Sequence, residues 1–345
     1  MITVYLAFAA AAVPRAASAQ DPGLQQRVNA LEAQVQALSE QVTALTRSRL
    51  VEVNCAAGER IQPALTSAQR HPASVVISVY GVCTENIVIS RSDLLIRAGA
   101  PGAGIIAAHP GNVVSVAPNP IPKAFMLSGL TISGGGTGVS VEHGSSARLV
   151  DCTIRNNGLG IRADHGSSVR LENTIVEANT GGGVAIQDGA YLFVTGGEVG
   201  QNIGNGISLG NGSVATVDGG ARIASNGGWG VLVSARSLLS LGATTVTANG
   251  LTGVFVSGGS SVNLNAGATI TANVLSGMSL MDTSLVQKHR ALADIHITHN
   301  GGYGIVCSLP PAVAQVVGFT FETGNVSGNA SGNIDCPVSP GPKAQ

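Results

Sequence analysis

The segments VEANTGGGV (176–184), VGQNIGNGI (199–207), IASNGGWGV (223–231), VTANGLTGV (246–254) and ITANVLSGM (270–278) are variations on one phrase. In each, an aliphatic residue stands three places before an Asn, and a Gly-aliphatic pair follows. Extending the phrase both ways collects Asn157, Asn179, Asn202, Asn226, Asn249, Asn273 and Asn300. Gly-aliphatic pairs run in phase from Gly138-Val139 to Gly304-Ile305, at intervals of 22, 23, 23, 24, 23, 24 and 27 residues. A second aliphatic lies eight or nine residues before each of the first six asparagines: Leu149, Leu171, Val194, Val217, Leu241 and Leu264. Each unit thus carries three short β-type segments broken by Gly, Asn and Ser.

No single unit can bury its own aliphatic side chains. Stacked units can, because equivalent positions then form continuous apolar columns. Coils would repeat at strand spacing, about 4.8 Å. An Asn at each equivalent turn can take the left-handed conformation. Its amide can also bond the Asn above and below, as in stacked cross-β structures.

This pattern, Gly-aliphatic, then Gly-Ser-Ser-x-x-Leu, then aliphatic-x-x-Asn, resembles the right-handed parallel β-helix repeats of the pectate-lyase-like superfamily over residues 75–307. The expected fold is all-β: a right-handed parallel β-helix solenoid of three short parallel sheets. Val51 to Gly58, followed by Ile61 and Leu65, is similar to the first strand and capping helix of bacterial members. Solenoid ends need covering. The helix around Ile61, Leu65 and Ala68 is the expected N-terminal cap, and 308–336 is expected to break the repeat and close the other end. The body is thus placed at 51–336, with a loose Pro/Gly-rich tail at 337–345. Cys55 with Cys83 would tie the first strand to the first coils, and Cys307 with Cys336 the last coil to its cap. Cys152, between Leu149 and Ile154, reads as a small buried apolar residue, with a reactive thiol as the alternative.

Residues 2–13, ITVYLAFAAAAV, are an apolar run too short to span a bilayer, and Ala17-Ser18-Ala19 supplies a small-x-small cleavage pattern. Residues 1–19 therefore read as a signal peptide, although no Lys or Arg precedes the run. The mature chain would carry no transmembrane span and would be secreted, periplasmic or on the cell surface. Residues 20–50 read as a coiled-coil helix. Leu24, Val28, Leu31, Val35, Leu38, Val42 and Leu45 recur at alternating intervals of 4 and 3, a heptad seam for self-association as a dimer or trimer. The alternative is one amphipathic helix lying on its own chain.

Of 345 residues, 47 are Gly; 44% are hydrophobic, 3% aromatic and 11% charged, and the net charge is −1. Low charge with high hydrophobicity excludes a disordered chain. The near-neutral balance argues against a nucleic-acid partner, which would need basic clusters.

In the lyases of the resembling superfamily, substrate lies along the outward side chains of one sheet. Here that sheet would contain Leu149, Leu171, Val194 and Val217. Period-2 alternation turns Arg148, Arg170, Glu172, Phe193 and Asp218 outward. Two stacked arginines could hold a uronate carboxylate, and a nearby base could abstract the C5 proton. The plainer reading is a surface ion-pair ladder in which Glu172 relieves Arg148–Arg170 repulsion. The lyases bring a cluster of acids for Ca²⁺. Here only Glu172 and Asp218 stand on the face, so Ca²⁺ is expected under the lyase alternative alone. Hydrolysis by inversion needs two carboxylates about 6.5–9.5 Å apart, for which Asp151 and Glu172 are weak candidates. A second cluster stacks Glu142-His143 over Asp164-His165 and could hold a divalent metal. A solvated turn is the alternative, since the next coil reads Gln187-Asp188 and lacks the His. Trp229, in the turn after Asn226, has no aromatic at the equivalent positions of the coils beside it.

The function that best joins these readings is a binding or structural module at polysaccharide or cell-envelope surfaces, without a cofactor. The alternative is a polysaccharide lyase, epimerase or hydrolase acting on uronate-containing glycans.

Overall fold

The computed structural model describes residues 31–32, 34–36, 48–118, 122–288, 294–308, 315–317, 325–336 and 338–339. The chain divides into two compact units, Met1–Arg47 and Ser48–Gln345. In the first, residues 31–32 and 34–36 are helical, with Leu31 and Val35 of the heptad seam exposed. The signal peptide and the rest of the seam lie outside the described residues. No helix among the described residues is long and apolar enough to cross a membrane.

The second unit is a β-solenoid. Each coil contributes one strand to each of three parallel sheets, of 13, 11 and 11 strands among the described residues. In the first sheet, Arg49–Asn54 pairs with Val75–Tyr80, and pairing continues coil by coil through Ser146–Val150, Ser168–Glu172, Tyr191–Thr195 and Val214–Asp218. The second sheet contains Thr153–Arg155 and its equivalents, and the third contains Leu159–Ala163 and its equivalents. All pairings are parallel and in register: Leu149 opposes Leu171, then Val194, Val217, Leu241 and Leu264. Every member of that column is at most 3% exposed, so the aliphatics form one continuous core.

Between the second and third sheets runs the asparagine column, each member at most 9% exposed. Asn157 Nδ2 donates to Asn179 Oδ1 (3.2 Å), and the relay continues through Asn202, Asn226, Asn249, Asn273 and Asn300 at 2.9–3.0 Å. Each Oδ1 also accepts the backbone N–H of the preceding asparagine, as Asn226 Oδ1 does from Asn202 N (3.2 Å). Each Nδ2 also donates to a carbonyl of the previous coil, such as Val199 O for Asn226 (3.1 Å).

Three expectations need correction. The left-handed residue is the one before each ladder Asn: Asn156, Ala178, Gln201, Ser225, Ala248, Ala272 and His299 have φ of 52–57°. The bend is made there, which leaves the Asn free to turn its amide into the column. The segment 308–336 does not end the repeat. Val326–Ser327 and Gly332–Asp335 extend the second and third sheets, and Asn329 becomes an eighth rung (Asn300 Nδ2 to Asn329 Oδ1, 2.9 Å). The 29-residue interval from Asn300 to Asn329, longer than the others, hides this rung from a fixed-period search. Val338–Ser339, placed in a loose tail, pairs with Val316–Val317 in the first sheet.

At the N-terminal end, the helix Ile61–Ala68 (α1) covers the core with Ile61, Leu65 and Ala68. Its start is held from outside: buried Glu85 accepts from Ile61 N (2.6 Å) and Gln62 N (3.0 Å), satisfying donors that a helix leaves open. Disulfides join Cys55 to Cys83 and Cys307 to Cys336. Cys152 is a buried free thiol whose pKa burial pushes up to about 11, so it is protonated and unreactive at neutral pH.

The buried relay leads to a stability prediction. Asn226→Ala would remove the acceptor of both the Asn202 N–H and its Nδ2, and one donor to the Val199 carbonyl. Denaturant unfolding should show a loss on the order of 3 kcal/mol, and a smaller loss for Asn329→Ala at the end of the column. Equal, sub-kcal effects at both positions would contradict a structural role for the ladder.

Candidate functional site

The outer face of the first sheet is built by strict alternation. In Ser146–Val150 and Ser168–Glu172 the second and fourth residues are buried, which turns Arg148, Arg170 and Glu172 outward. Register then stacks Arg148 on Arg170, Arg170 on Phe193, and Phe193 on Thr216. The neighbouring outward row is Val150, Glu172, Thr195 and Asp218.

The structure joins Arg148, Arg170 and Glu172 into one ion triad. Glu172 Oε1 accepts from Arg148 Nε (2.9 Å) and Arg170 Nε (2.5 Å), and Oε2 accepts from Arg148 Nη2 (2.6 Å). The Arg148 contact is a two-pronged fork. Its hydrogen bonds hold the Glu172 carboxyl below its ordinary pKa; burial opposes the shift and Arg170 adds to it. Both guanidiniums are about half exposed, so the triad is a surface feature that adds little to stability. Arg170 gives Glu172 its Nε–H, and its side chain is about half exposed.

Asp218 does not join this group. It lies two strands from Glu172 in the same row, and its Oδ1 accepts from Gly219 N (2.7 Å) and Ala243 N (2.8 Å). It shapes a turn. The pair does not fit Ca²⁺: two guanidiniums already occupy the Glu172 oxygens, and Asp218 is a strand removed on the far side of Thr195.

Next to the triad stand two exposed aromatics on one strand, Tyr191 (45%) and Phe193 (40%). On the N-terminal side, Val76, Leu95 and Met126 continue the Arg148 row and line a shallow apolar groove of about 400 Å³ that ends at Arg148. The face is therefore a ladder with three successive chemistries: aliphatic, ionic and aromatic. Phe193, and Tyr191 two residues before it on the same strand, follow from alternation, whereas the groove needed the register of every coil.

The histidine cluster stacks as its spacing implied. The His143 and His165 rings lie 6.1 Å apart at 13°. The four groups do not converge, however. Glu142 accepts from Ser140 Oγ (3.0 Å), and Asp164 is buried against Arg162 (2.5 Å) while both imidazoles stay at the turn surface. Among the described residues, the one group of three His, Cys, Asp or Glu side chains with converging ligand atoms is Cys55, Cys83 and Glu85, and its cysteines are in a disulfide.

The depressed Glu172 pKa has a definite sign. The triad is intact above the ordinary carboxylate pKa of about 4.3, and its contribution is lost as pH falls through the lower folded value. The side-chain ¹³C titration of Glu172 should have its midpoint below that ordinary value and move back up in Arg148→Ala. A normal midpoint in the native chain would mean that the triad does not form in solution.

Comparison with known proteins agrees with this architecture. A family model described as a right handed beta helix region matches residues 114–219. No curated protein sequence matches the chain. Among solved structures, the A-module of Azotobacter vinelandii mannuronan C-5 epimerase AlgE6 is similar, with a TM-score of 0.51 at 16% identity over 82% of this chain and 95% of that one. The periplasmic alginate epimerase AlgG has a TM-score of 0.49 at 13% identity over 86% of this chain and 84% of that one. The Dettilon tailspike protein has a TM-score of 0.50 at 11% identity over 79% of this chain and 64% of that one. Likeness at these identities concerns the fold. The chain folds as a right-handed parallel β-helix solenoid.

Proposed function

We propose that this protein is an exported glycan-binding β-helix that presents the outer face of its first sheet to a uronate-containing polysaccharide. The observation that carries the reading is the in-register run Arg148, Arg170, Phe193, with Tyr191 alongside. A half-exposed guanidinium can meet a sugar carboxylate, and an exposed ring can meet the apolar face of a pyranose. The coils repeat at strand spacing, so the face offers these groups along a line, as an extended polymer requires. Two disulfides are compatible with a periplasmic or extracellular location.

Binding is favoured over chemistry because the two carboxylates nearest the arginines and aromatics, Glu172 and Asp218, are committed. Glu172 is kept ionised by two arginines, which unsuits it as a general acid, and Asp218 is tied to turn amides. The lyase, epimerase or hydrolase reading would need a carboxylate or base released from such partners.

The test is calorimetry of the full chain with polygalacturonate and with alginate, together with product assays for elimination, hydrolysis and C5 inversion. Saturable binding without product is expected, weakened about tenfold or more in Arg148→Ala/Arg170→Ala and reduced by salt. Turnover of either polymer would establish the enzyme reading instead, and absence of binding to both would contradict the assignment of this face.

The heptad seam supports a second part of the proposal, that copies assemble through residues 24–45 and bind with avidity. Sedimentation equilibrium should give a dimer or trimer for the full chain and a monomer for Leu31→Asp/Val35→Asp. A monomeric unmutated chain would leave the helix without this role.

A further inference from the structure

The turn after each ladder asparagine carries a second column, and one stretch of it is built differently from the rest. The third residue after Asn179, Asn202 and Asn226 is Gly182, Asn205 and Trp229, and Leu159 and Thr252 hold the neighbouring places in the stack. Their carbonyls are tied coil to coil: Gly160 N donates to Gly182 O, Gly183 N to Asn205 O, Gly206 N to Trp229 O, and Gly230 N to Thr252 O, at 2.9–3.2 Å. The column therefore reads Leu159, Gly182, Asn205, Trp229, Thr252 in space.

Trp229 is pinned at both ends. Its backbone N–H donates to Asn205 Oδ1 (3.0 Å). Its indole stacks on Phe255, with centroids 4.7 Å apart and planes 24° from parallel. Phe255 points outward from Val254–Val256, in the next coil. Its register partners on the N-terminal side are Leu232 and then Ser208. Phe255 thus covers the indole from the C-terminal side. On the other side, where an aromatic column would continue, stand the small polar residues Asn205 and Ser208.

A groove of about 370 Å³ opens at that point. Gly182 leaves its floor bare. A Cβ there would lie 3.1 Å from Asn205 O and 3.7 Å from a Leu159 methyl, so the notch is as narrow as it can be without a side chain. Leu159 and Ile203 form its apolar edge, Ile203 being 68% exposed. Asn205 and Ser208 form its polar edge, with Asn205 Nδ2 donating to Ser208 Oγ (3.2 Å). The second Nδ2 hydrogen and the Ser208 hydroxyl hydrogen are available to a ligand. No charged side chain lines the groove.

We propose that this groove, joined through Asn205 to the backbone of Trp229 beside it, is a binding site for a neutral pyranose. It is separate from the cationic face of the first sheet and chemically unlike it. An uncharged sugar has an apolar C–H face for the aliphatic wall and hydroxyls for the amide and hydroxyl edge. The neighbouring cation, Arg162 beside Ala185, has its Nε on buried Asp164 and lies outside the lining, so the groove itself offers an anionic sugar no cation, and a purely apolar guest would leave the Asn205 and Ser208 donors unmatched. The proposal stands on its own residues and does not depend on the Arg148–Arg170 assignment.

Trp229 is the one tryptophan in the 345-residue chain, so its fluorescence reports this site alone. The full chain is titrated with maltohexaose, cellohexaose and chitohexaose, following indole emission and acrylamide quenching. The expected result is a saturable emission change with at least one of the three, with reduced quenching. Ile203→Arg, which fills the groove from an exposed position, should raise the apparent Kd at least tenfold with thermal unfolding unchanged. Ser208→Leu serves as a second groove-filling variant should Ile203→Arg fail to fold. Arg148→Ala/Arg170→Ala should leave the response intact, so failure of either site is read separately. A flat titration with all three sugars would overturn the proposal. So would a response that survives both groove variants, or one produced equally by an apolar peptide.

Discussion

A buried primary amide with two donors and an acceptor has few places to satisfy all of them. In this protein each ladder asparagine does so only if another asparagine lies one coil away. The Oδ1 of Asn226 takes both the side-chain and the backbone donor of Asn202, and its Nδ2 reaches Asn249 and Val199. Because an unmet buried donor or acceptor is costly, the column acts as a register gauge. A slip of one residue in any coil would break several such bonds and turn the aliphatic column outward. The hydrophobic core supplies most of the driving force, and the amides select which stacking is allowed.

Once register is set, function becomes a matter of what faces out. A parallel β-helix repeats every position at strand spacing, so isolated outward residues become rows. Arg148 and Arg170 are 22 positions apart in the chain, yet they are direct neighbours on the sheet. The same rule gives the Leu159, Gly182, Asn205, Trp229 column its notch. The solenoid is a ruler on which single residues write surface chemistry, and the first-sheet face and the turn groove differ because different columns differ. A charged, salt-sensitive face and a neutral groove on one rod would let a single chain bridge two kinds of glycan surface.

Much of this was legible from sequence. The phase of Asn157 to Asn300 and the aliphatic spacing led to stacked units of three short β segments, the resemblance to β-helix repeats supplied their parallel arrangement, and alternation placed Arg148, Arg170, Glu172 and Phe193 outward. What stayed hidden had physical reasons. Glu172 reaches Arg148 diagonally, and only side-chain geometry shows that it takes a fork from one arginine and a single bond from the other. The bend before each ladder Asn falls on Ala, Ser, Gln or His as well as Asn, so residue type gives no hint of the left-handed position. Asn329 lies 29 residues after Asn300, an interval that breaks the period. Trp229 pairs with Phe255, which occupies a strand position and not the equivalent turn position, so a comparison of like positions passes over it. The heptad seam, by contrast, lies mostly outside the described residues.

Side-chain amide hydrogen exchange tests the asparagine column most directly. In a folded, ¹⁵N-labelled sample, the Nδ2 protons of Asn202, Asn226 and Asn249 should be protected to nearly the extent of the core strand amides, since both protons of each are bonded in the interior. Exchange at the rate of the exposed turn asparagine Asn211 would contradict the account, because a column open to water could not set the register on which both binding faces rest.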